Sequence, residues 1–335
     1  MTSHPIKSVR AATNDEWDRY WNNCPYATYY QSREWSDIWK QYSYGKIRPD
    51  PLLIELPDNR KVLLPLTYRR YAGGILKRYG LSIPGMIRYG GWLSYDVLPH
   101  NQVEILVSYI LHTYRNISWR VNPFGENIPL NGSVEYENDA TSVIYLSENI
   151  TGIFARYRKG NKYAIRQGER KGVTVRVGNG IEDWDAYYEM YRDTVRRWGK
   201  RALFVYGYRL FKLLAELKSE NVRLWLAEYE SKPVAGAVCL YSPSGVCYWH
   251  GAALGDFLSL RPVNVLDNTI ISDAYNKGLK WLDFGISSHL RGVRKFKESF
   301  GAVGVPSPLI RQLSLPLRYV RSLWTNVHGF YYKLK

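Results

Sequence analysis

Cysteine is scarce: the 335 residues hold only Cys24, Cys239 and Cys247. The number is odd and the spacing matches no zinc pattern, so neither a disulfide framework nor a metal site is expected. A reduced, cytoplasmic setting is the simplest expectation. Cys239 and Cys247 lie in strand-like runs, as small buried hydrophobes. Acids are also outnumbered, 30 against 46 Lys and Arg, for a net charge of +16. That balance favours anionic partners such as nucleic acid, a phosphorylated substrate or an acidic membrane face. No apolar run approaches the roughly 18–20 residues that span a bilayer. Met1 to Arg10 shows no apolar core of a signal peptide. There is no G-x-x-x-x-G-K-[ST] loop, no G-x-G-x-x-G after a strand and no G-x-S-x-G elbow, which argues against nucleotide hydrolysis, dinucleotide redox chemistry and a hydrolase triad.

What is present suits two domains of ordinary size. Aromatics are abundant: 29 Tyr and 12 Trp outnumber 9 Phe, so many rings are expected half-buried or in grooves. Apolar spacing predicts helix over 14–44 and Gln102–Tyr114, and strands at Leu52–Leu56, Val62–Tyr68, Met86–Leu93, Ser118–Asn122 and Ser142–Leu146. In the second half, helices are expected over 151–170, 182–198 and 207–219. An antiparallel meander follows: Arg223–Glu228, Val234–Tyr241 and Val246–Ala252. A helix opens at Pro262 and stops at Gly278, with Val263, Leu266, Ile270 and Ala274 as its apolar stripe. Short strands are expected at Trp281–Phe284 and Leu309–Leu315. The fold class is thus mixed α/β (α+β), with domains at 1–147 and 148–315 and a C-terminal helix at 316–335.

Residues 151–173 are unusually basic. On one continuous helix, Arg158, Lys162, Arg166 and Arg170 form a column of like charge. Its three i,i+4 pairs oppose the helix by roughly 1 kcal/mol, and Gly160 adds about 1 kcal/mol relative to Ala. An anion along the column would relieve the repulsion. The alternative is a solvated basic face.

Several short pieces, in order, resemble the Fem family of peptidyltransferases (FemABX-like) within the Gcn5-related acyltransferase-like group. They are Tyr30-Gln31-Ser32-x-x-Trp35, Leu64-Pro65-Leu66, Arg88-Tyr89-Gly90-Gly91, Lys162-Tyr163-Ala164-Ile165-Arg166 through Lys171-Gly172-Val173, Ala235-Gly236-Ala237, Tyr248-Trp249-His250-Gly251-Ala252, Arg261-Pro262, Asp283-Phe284-Gly285 and Phe296-Lys297-x-x-Phe300-Gly301. The resemblance covers most of the chain. It implies two tandem acyltransferase-like domains with mixed, largely antiparallel sheets flanked by helices, and an acceptor cleft between them. It also implies transfer of an amino acid from aminoacyl-tRNA to an amine of a peptide or cell-envelope precursor such as a peptidoglycan stem. More distant relatives imply an acyl-CoA donor instead. Family members hold acceptor phosphate with basic helix residues, here Lys162 and Arg166, with Arg158 one turn earlier. Lysine is a poorer bidentate clamp than the family's first arginine. The family's long helical arm has no counterpart, because nothing between 170 and 225 is a sustained heptad. Phe296, Trp249, Trp35 and Lys40 complete the candidate substrate-binding set.

An activated ester or thioester needs mainly an oriented amine and a stabilised oxyanion. Lys297, which matches the family's lysine at the reacting centre, is the candidate cation. His250 and Asp283 are candidate proton acceptors. Each also has a structural reading, the first as a core-edge imidazole and the second as a strand-end acid that fixes the next loop. Tyr248 and Trp249 alternate faces of their strand. No bound cofactor is expected. From Leu317, Val320, Trp324, Val327, Tyr331 and Leu334 form a helical stripe among basic residues. That helix is expected to dock on protein or to lie on an anionic membrane, where a lipid-linked acceptor would be met. A non-enzymatic RNA- or membrane-binding protein is the third reading.

Overall fold

The computed structural model describes residues 6–71, 74–82, 88–129, 135–199, 202, 205–287 and 290–314. The expected C-terminal helix at 316–335 lies outside them. The described residues fall into two units, one up to Asp139 and again from Ser307, the other Ala140–Pro306.

The first unit opens with β1 (Ser8–Ala11) and α1 (Asn14–Asn23). Thr13 and Glu16 form a reciprocal capping box at the start of α1, satisfying two amides that the helix leaves open. The helix expected over 14–44 is interrupted. Cys24 is extended ahead of Pro25, as a residue before proline tends to be. The chain restarts as α2 (Arg33–Tyr42), capped by Ser32 Oγ on the Trp35 amide at 3.1 Å. The break is held from within: Trp17 and Trp21 donate their indole N–H to the carbonyls of Gln31 and Thr28, each at 2.9 Å.

There follow β2 (Ile47–Pro49), β3 (Leu52–Glu55), β4 (Lys61–Leu64), β5 (Thr67–Tyr71), β6 (Leu76–Gly80), β7 (Tyr89–Gly90), α3 (His100–Thr113), β8 (Ile117–Val121) and β9 (Tyr136–Glu137). Strands β1, β3 and β4 make a small antiparallel sheet. The larger sheet is completed from the far end of the chain: β17 (Leu309–Gln312) lies between β8 and β9. Arg120, only 3% exposed, secures that return by donating to Asp139 at 3.3 Å and to the Ser307 carbonyl at 2.7 Å.

The second unit contains β10 (Ala140–Tyr145), α4 (Ile150–Ala155), α5 (Lys159–Arg170), β11 (Thr174–Val177), α6 (Ile181–Trp198), α7 (Tyr208–Leu217), β12 (Val222–Tyr229), β13 (Lys232–Tyr241), β14 (Gly245–Ala253), α8 (Pro262–Asn276), β15 (Trp281–Ile286), α9 (Arg291–Glu298) and β16 (Val303–Pro306). Its seven strands run in the order β11-β12-β13-β14-β15-β10-β16. The division at 139/140 differs from the expected 147/148 because β10 pairs with β15 and β16. The segment at 309–315 likewise joins the first unit, not the second, because its strand partners are there.

Side chains on β13 separate the two faces of this sheet. Ala235 and Ala237 share a core with Val265, Leu266, Ile270 and Ile271 of α8. Gly236, between them, faces α6, where an added Cβ would come within 2.8 Å of the Tyr187 ring.

Candidate active site

The two central strands of the second unit set the site's frame. β14 and β15 are its parallel neighbours, and their pairing runs only from Gly245–Trp281 to Cys247–Asp283. Beyond that point β14 continues to Ala253, while β15 stays paired with β10 as far as Ile286. A fork of this kind opens backbone and side chains at a sheet centre. Its base is tight: a Cβ on Gly245 would sit 2.1 Å from the Trp281 indole.

Tyr248 is the first β14 residue past the last pair, and it is half-buried on the α8 face against Phe284. A register shift against Val238 and Cys239 leaves Trp249 as a bulged residue. A bulge adds one residue to a strand and upsets simple alternation. Trp249 and His250 consequently share the α6 face, and Gly251 returns to the face of Tyr248. A Cβ on Gly251 would come within 2.4 Å of the Tyr248 hydroxyl oxygen, so glycine there makes room for that hydroxyl.

The motif at 296–301 closes the other side of the fork. Lys297 is only 7% exposed, and its ammonium donates to the carbonyls of Gly285 at 2.8 Å and Ile286 at 3.3 Å. Both acceptors lie just beyond the last β14–β15 pair. Phe300 is wholly buried against Phe284 and Tyr157. Gly301, at φ +78°, lies where a Cβ would meet Arg156 at 2.8 Å. Asn161 ties the neighbouring helices together: its amide donates to the Ser299 carbonyl at 3.2 Å, and its side-chain oxygen accepts from Asn264 at 2.8 Å.

Behind Tyr248 and Lys297 stands Asp267 of α8, 1% exposed. Burial pushes its carboxyl up to about 8, against the opposing pull of the Tyr248 hydroxyl turned toward it and of the positive Lys297. Its Oδ1 has no hydrogen-bond partner among the described residues. Asp267 was not among the residues expected from the sequence. The signal was there: it stands four residues after Val263 and three before Ile270, an acid inside the apolar stripe of α8.

The expected catalytic trio is divided. Lys297 lies on the α8 face. His250 lies on the α6 face, ringed by Tyr187, Tyr191, Tyr206 and Phe211. The Tyr187 hydroxyl is 2.6 Å from its Nδ1 and 3.1 Å from its carbonyl oxygen. One proton arrangement satisfies both contacts: Nδ1–H donates to Tyr187, whose O–H donates to the carbonyl, leaving the lone pair on Nε2. Asp283 is 1% exposed, and its Oδ1 accepts from Thr141 and from the Gly285 amide. That arrangement fixes the irregularity near the end of β15, where the register against β10 shifts and Gly285 has φ +75°.

The binding candidates are also spread. The helix expected over 151–170 breaks at Arg156–Arg158, because Asn149 caps a short α4 and α5 starts afresh. Arg158 therefore precedes α5 and pairs with Glu298 at 3.2 Å, so the column of four on one helix is reduced to Lys162, Arg166 and Arg170. Lys162 donates to the Ala155 carbonyl at 3.1 Å, and Arg166 is exposed. Phe296 is half-buried against the core. Trp249 is 6% exposed against Tyr206 and Phe211. Trp35, fully buried among Tyr29, Tyr30 and Trp39, is core and not a ligand surface. Lys40 is exposed in the last turn of α2. Among the described residues, no cluster of His, Cys, Asp and Glu could hold a metal ion, and no helix is long and apolar enough to cross a membrane.

Residues 155–298, most of this unit with its forked, mixed sheet between α6 and α8, match the family model described as an acetyltransferase (GNAT) domain. The particular likenesses extend over nearly the whole chain. The crystal structure of FemX is similar at a TM-score of 0.69 and 12% identity, over 93% of this chain and 99% of that one. The C-terminal domain (DUF2156) of a putative lysylphosphatidylglycerol synthetase from Agrobacterium fabrum gives 0.57 at 11% identity, over 93% and 98%. L-PGS from Bacillus licheniformis gives 0.50 at 13%, over 85% and 90%. A search of curated protein sequences finds no match. The expected fold, a Fem-like arrangement of mixed α/β structure, is the one observed.

Proposed function

We propose that the chain is a Fem-like aminoacyltransferase, moving an amino acid from aminoacyl-tRNA to an amine of a peptide or cell-envelope precursor and forming an amide bond. The observation that carries this reading is the fork of β14 and β15, with a buried cation, Lys297, on the carbonyls just past it and Tyr248 as the first β14 residue beyond the last pair. An activated ester needs an oriented amine and a cation for the developing oxyanion, and little else. In this reading Lys297 stabilises the oxyanion, while Lys162 and Arg166 hold phosphate of the acceptor or of tRNA. The acceptor is a small-molecule or peptide amine, phosphorylated or lipid-linked. The net charge of +16 suits tRNA, and affinity for it falls steeply with salt.

An acyl-CoA donor acting on an amino sugar or envelope precursor is the second reading, favoured by the acetyltransferase family match. The stretch between β14 and α8 speaks against it. Residues Gly255–Leu260 form a 3-10 turn in which the Gly255 amide bonds Asp193 at 3.0 Å. The Phe257 and Arg261 amides bond the Leu254 and Leu258 carbonyls. Amides so engaged make a poor cradle for a diphosphate.

The test is transfer of label from total aminoacyl-tRNA to an envelope-precursor fraction. Lys297→Ala should lower the rate by roughly 10²–10³-fold, the size of losing one oxyanion donor. Unchanged activity in that variant removes Lys297 from the mechanism, and label moving only from acetyl-CoA selects the second reading.

A further inference from the structure

The site as described has a cation for the oxyanion but no proton acceptor beside it, since His250 faces α6 and Asp283 is tied to Thr141 and Gly285. We propose that Asp267, acting through the Tyr248 hydroxyl, takes up the proton released by the attacking amine and returns it to the leaving oxygen. The proposal rests on the acyl-transfer reading above and adds the residue that reading lacks.

The geometry carries it. Asp267 is sealed at 1% exposure, so it meets substrate only through a neighbour, and Tyr248, half-buried as the first β14 residue past the last β14–β15 pair, turns its hydroxyl toward it. Glycine at 251 keeps the space that the Tyr248 hydroxyl occupies. A buried acid with an unpartnered oxygen is costly and therefore marks a group held there for a reason, and Oδ1 of Asp267 is such an oxygen among the described residues. The titratable groups facing it are Tyr248 of β14, Lys297 of α9, Tyr157 after α4 and Cys239 of β13. The Tyr157 hydroxyl is likewise buried without a partner among the described residues. Lys297 is the one cation in this set, and it pulls the carboxyl back toward ionisation. An acceptor works best when its affinity for protons is poised near the working pH, and burial brings Asp267 to about 8.

The step balances. The amine lone pair forms the C–N bond at the donor carbonyl carbon, and the carbonyl electrons move to the oxygen held by Lys297. The amine proton passes to Tyr248 as the Tyr248 proton passes to the Asp267 carboxylate. On collapse the C=O bond reforms and the ester C–O bond breaks. The leaving ribose oxygen takes a proton from Tyr248, which recovers its own from Asp267. Amine and ester become amide and alcohol with no net proton released. Asp267 touches no reacting atom; it is a positioning and proton-holding residue.

Two measurements test it. The first needs no substrate: carbon-13 carboxyl resonances of aspartate-labelled protein are titrated in wild type, Asp267→Asn and Lys297→Met. The expected result is one carboxyl titrating near pH 8, absent from Asp267→Asn and moved upward in Lys297→Met. A carboxyl assigned to Asp267 that titrates below about pH 5 overturns the proposal. The second is the pH profile of aminoacyl transfer from aminoacyl-tRNA to hydroxylamine, an amine of low basicity that does not mask the enzyme's own titration. Wild type should rise to a plateau through about pH 8. Asp267→Asn should be slower at the plateau by roughly 10²-fold, flat across that range and unaltered in KM, and Tyr248→Phe should behave alike. An Asp267→Asn variant that keeps the wild-type limb overturns the relay while leaving the transferase reading intact. No transfer from aminoacyl-tRNA or acetyl-CoA to any amine overturns the transferase reading and the relay with it, even with the carboxyl titrating near pH 8.

Discussion

Asp267→Asn should change how the fold responds to pH. The folded protein holds the Asp267 proton up to about pH 8, against an ordinary value of 3.8. Between those limits the folded state binds a proton that the unfolded chain has lost. Stability from this group is therefore complete below about pH 4, falls as pH rises through the window and levels off above about pH 8. At roughly 1.4 kcal/mol per pH unit the ceiling is about 6 kcal/mol, and water penetration around the ionised acid lowers it. Asparagine keeps the shape and a polar partner for Tyr248 but cannot ionise. Urea unfolding of wild type and variant near pH 5, 7 and 9 gives the difference directly, with the other titrating groups common to both. The wild type should lose ground to the variant by several kcal/mol between the lowest and highest pH. A difference that stays constant across the range would refute the reasoning, because it would mean that Asp267 titrates alike folded and unfolded.

Three further outcomes follow from close contacts. Gly251→Ala puts a methyl within 2.4 Å of the Tyr248 hydroxyl oxygen; a fall in transfer of at least about tenfold, with about 1–3 kcal/mol of stability lost, is expected from kinetics and urea melts. Tyr187→Phe removes the hydroxyl held by His250, which should cost about 1–3 kcal/mol without altering the pH profile of transfer. Arg120→Ala strips a buried cation from Asp139 and the Ser307 carbonyl, and urea unfolding should register a loss of about 3–5 kcal/mol.

The meander β12–β14 and the helix α8 were legible because Ser231-Lys232-Pro233, Ser242-Pro243-Ser244-Gly245, Pro262 and Gly278 punctuate them. The interruption between α1 and α2 was masked, since the aromatic period runs on across Cys24-Pro25. The return of β17 to β8 was not legible, because an apolar run records that a strand is buried but not which strand it joins. Lys297 was reached through its motif, and the structure adds what holds it. Alternation along β14 gave Tyr248 and Trp249 opposite faces, but the bulge that turns His250 away from Lys297 leaves no trace in composition. Asp267 was missed, because a charge within an apolar stripe gains meaning only once Tyr248 and Lys297 are seen on the same face.

The central claim is that the donor is aminoacyl-tRNA, and the most direct measurement needs no acceptor. The protein is titrated with total aminoacyl-tRNA, uncharged tRNA and acetyl-CoA at two salt concentrations, beside a Lys162→Glu/Arg166→Glu variant. The account predicts a preference for charged tRNA that weakens with salt and is lost in the variant. Binding of acetyl-CoA with no preference for charged over uncharged tRNA would contradict it.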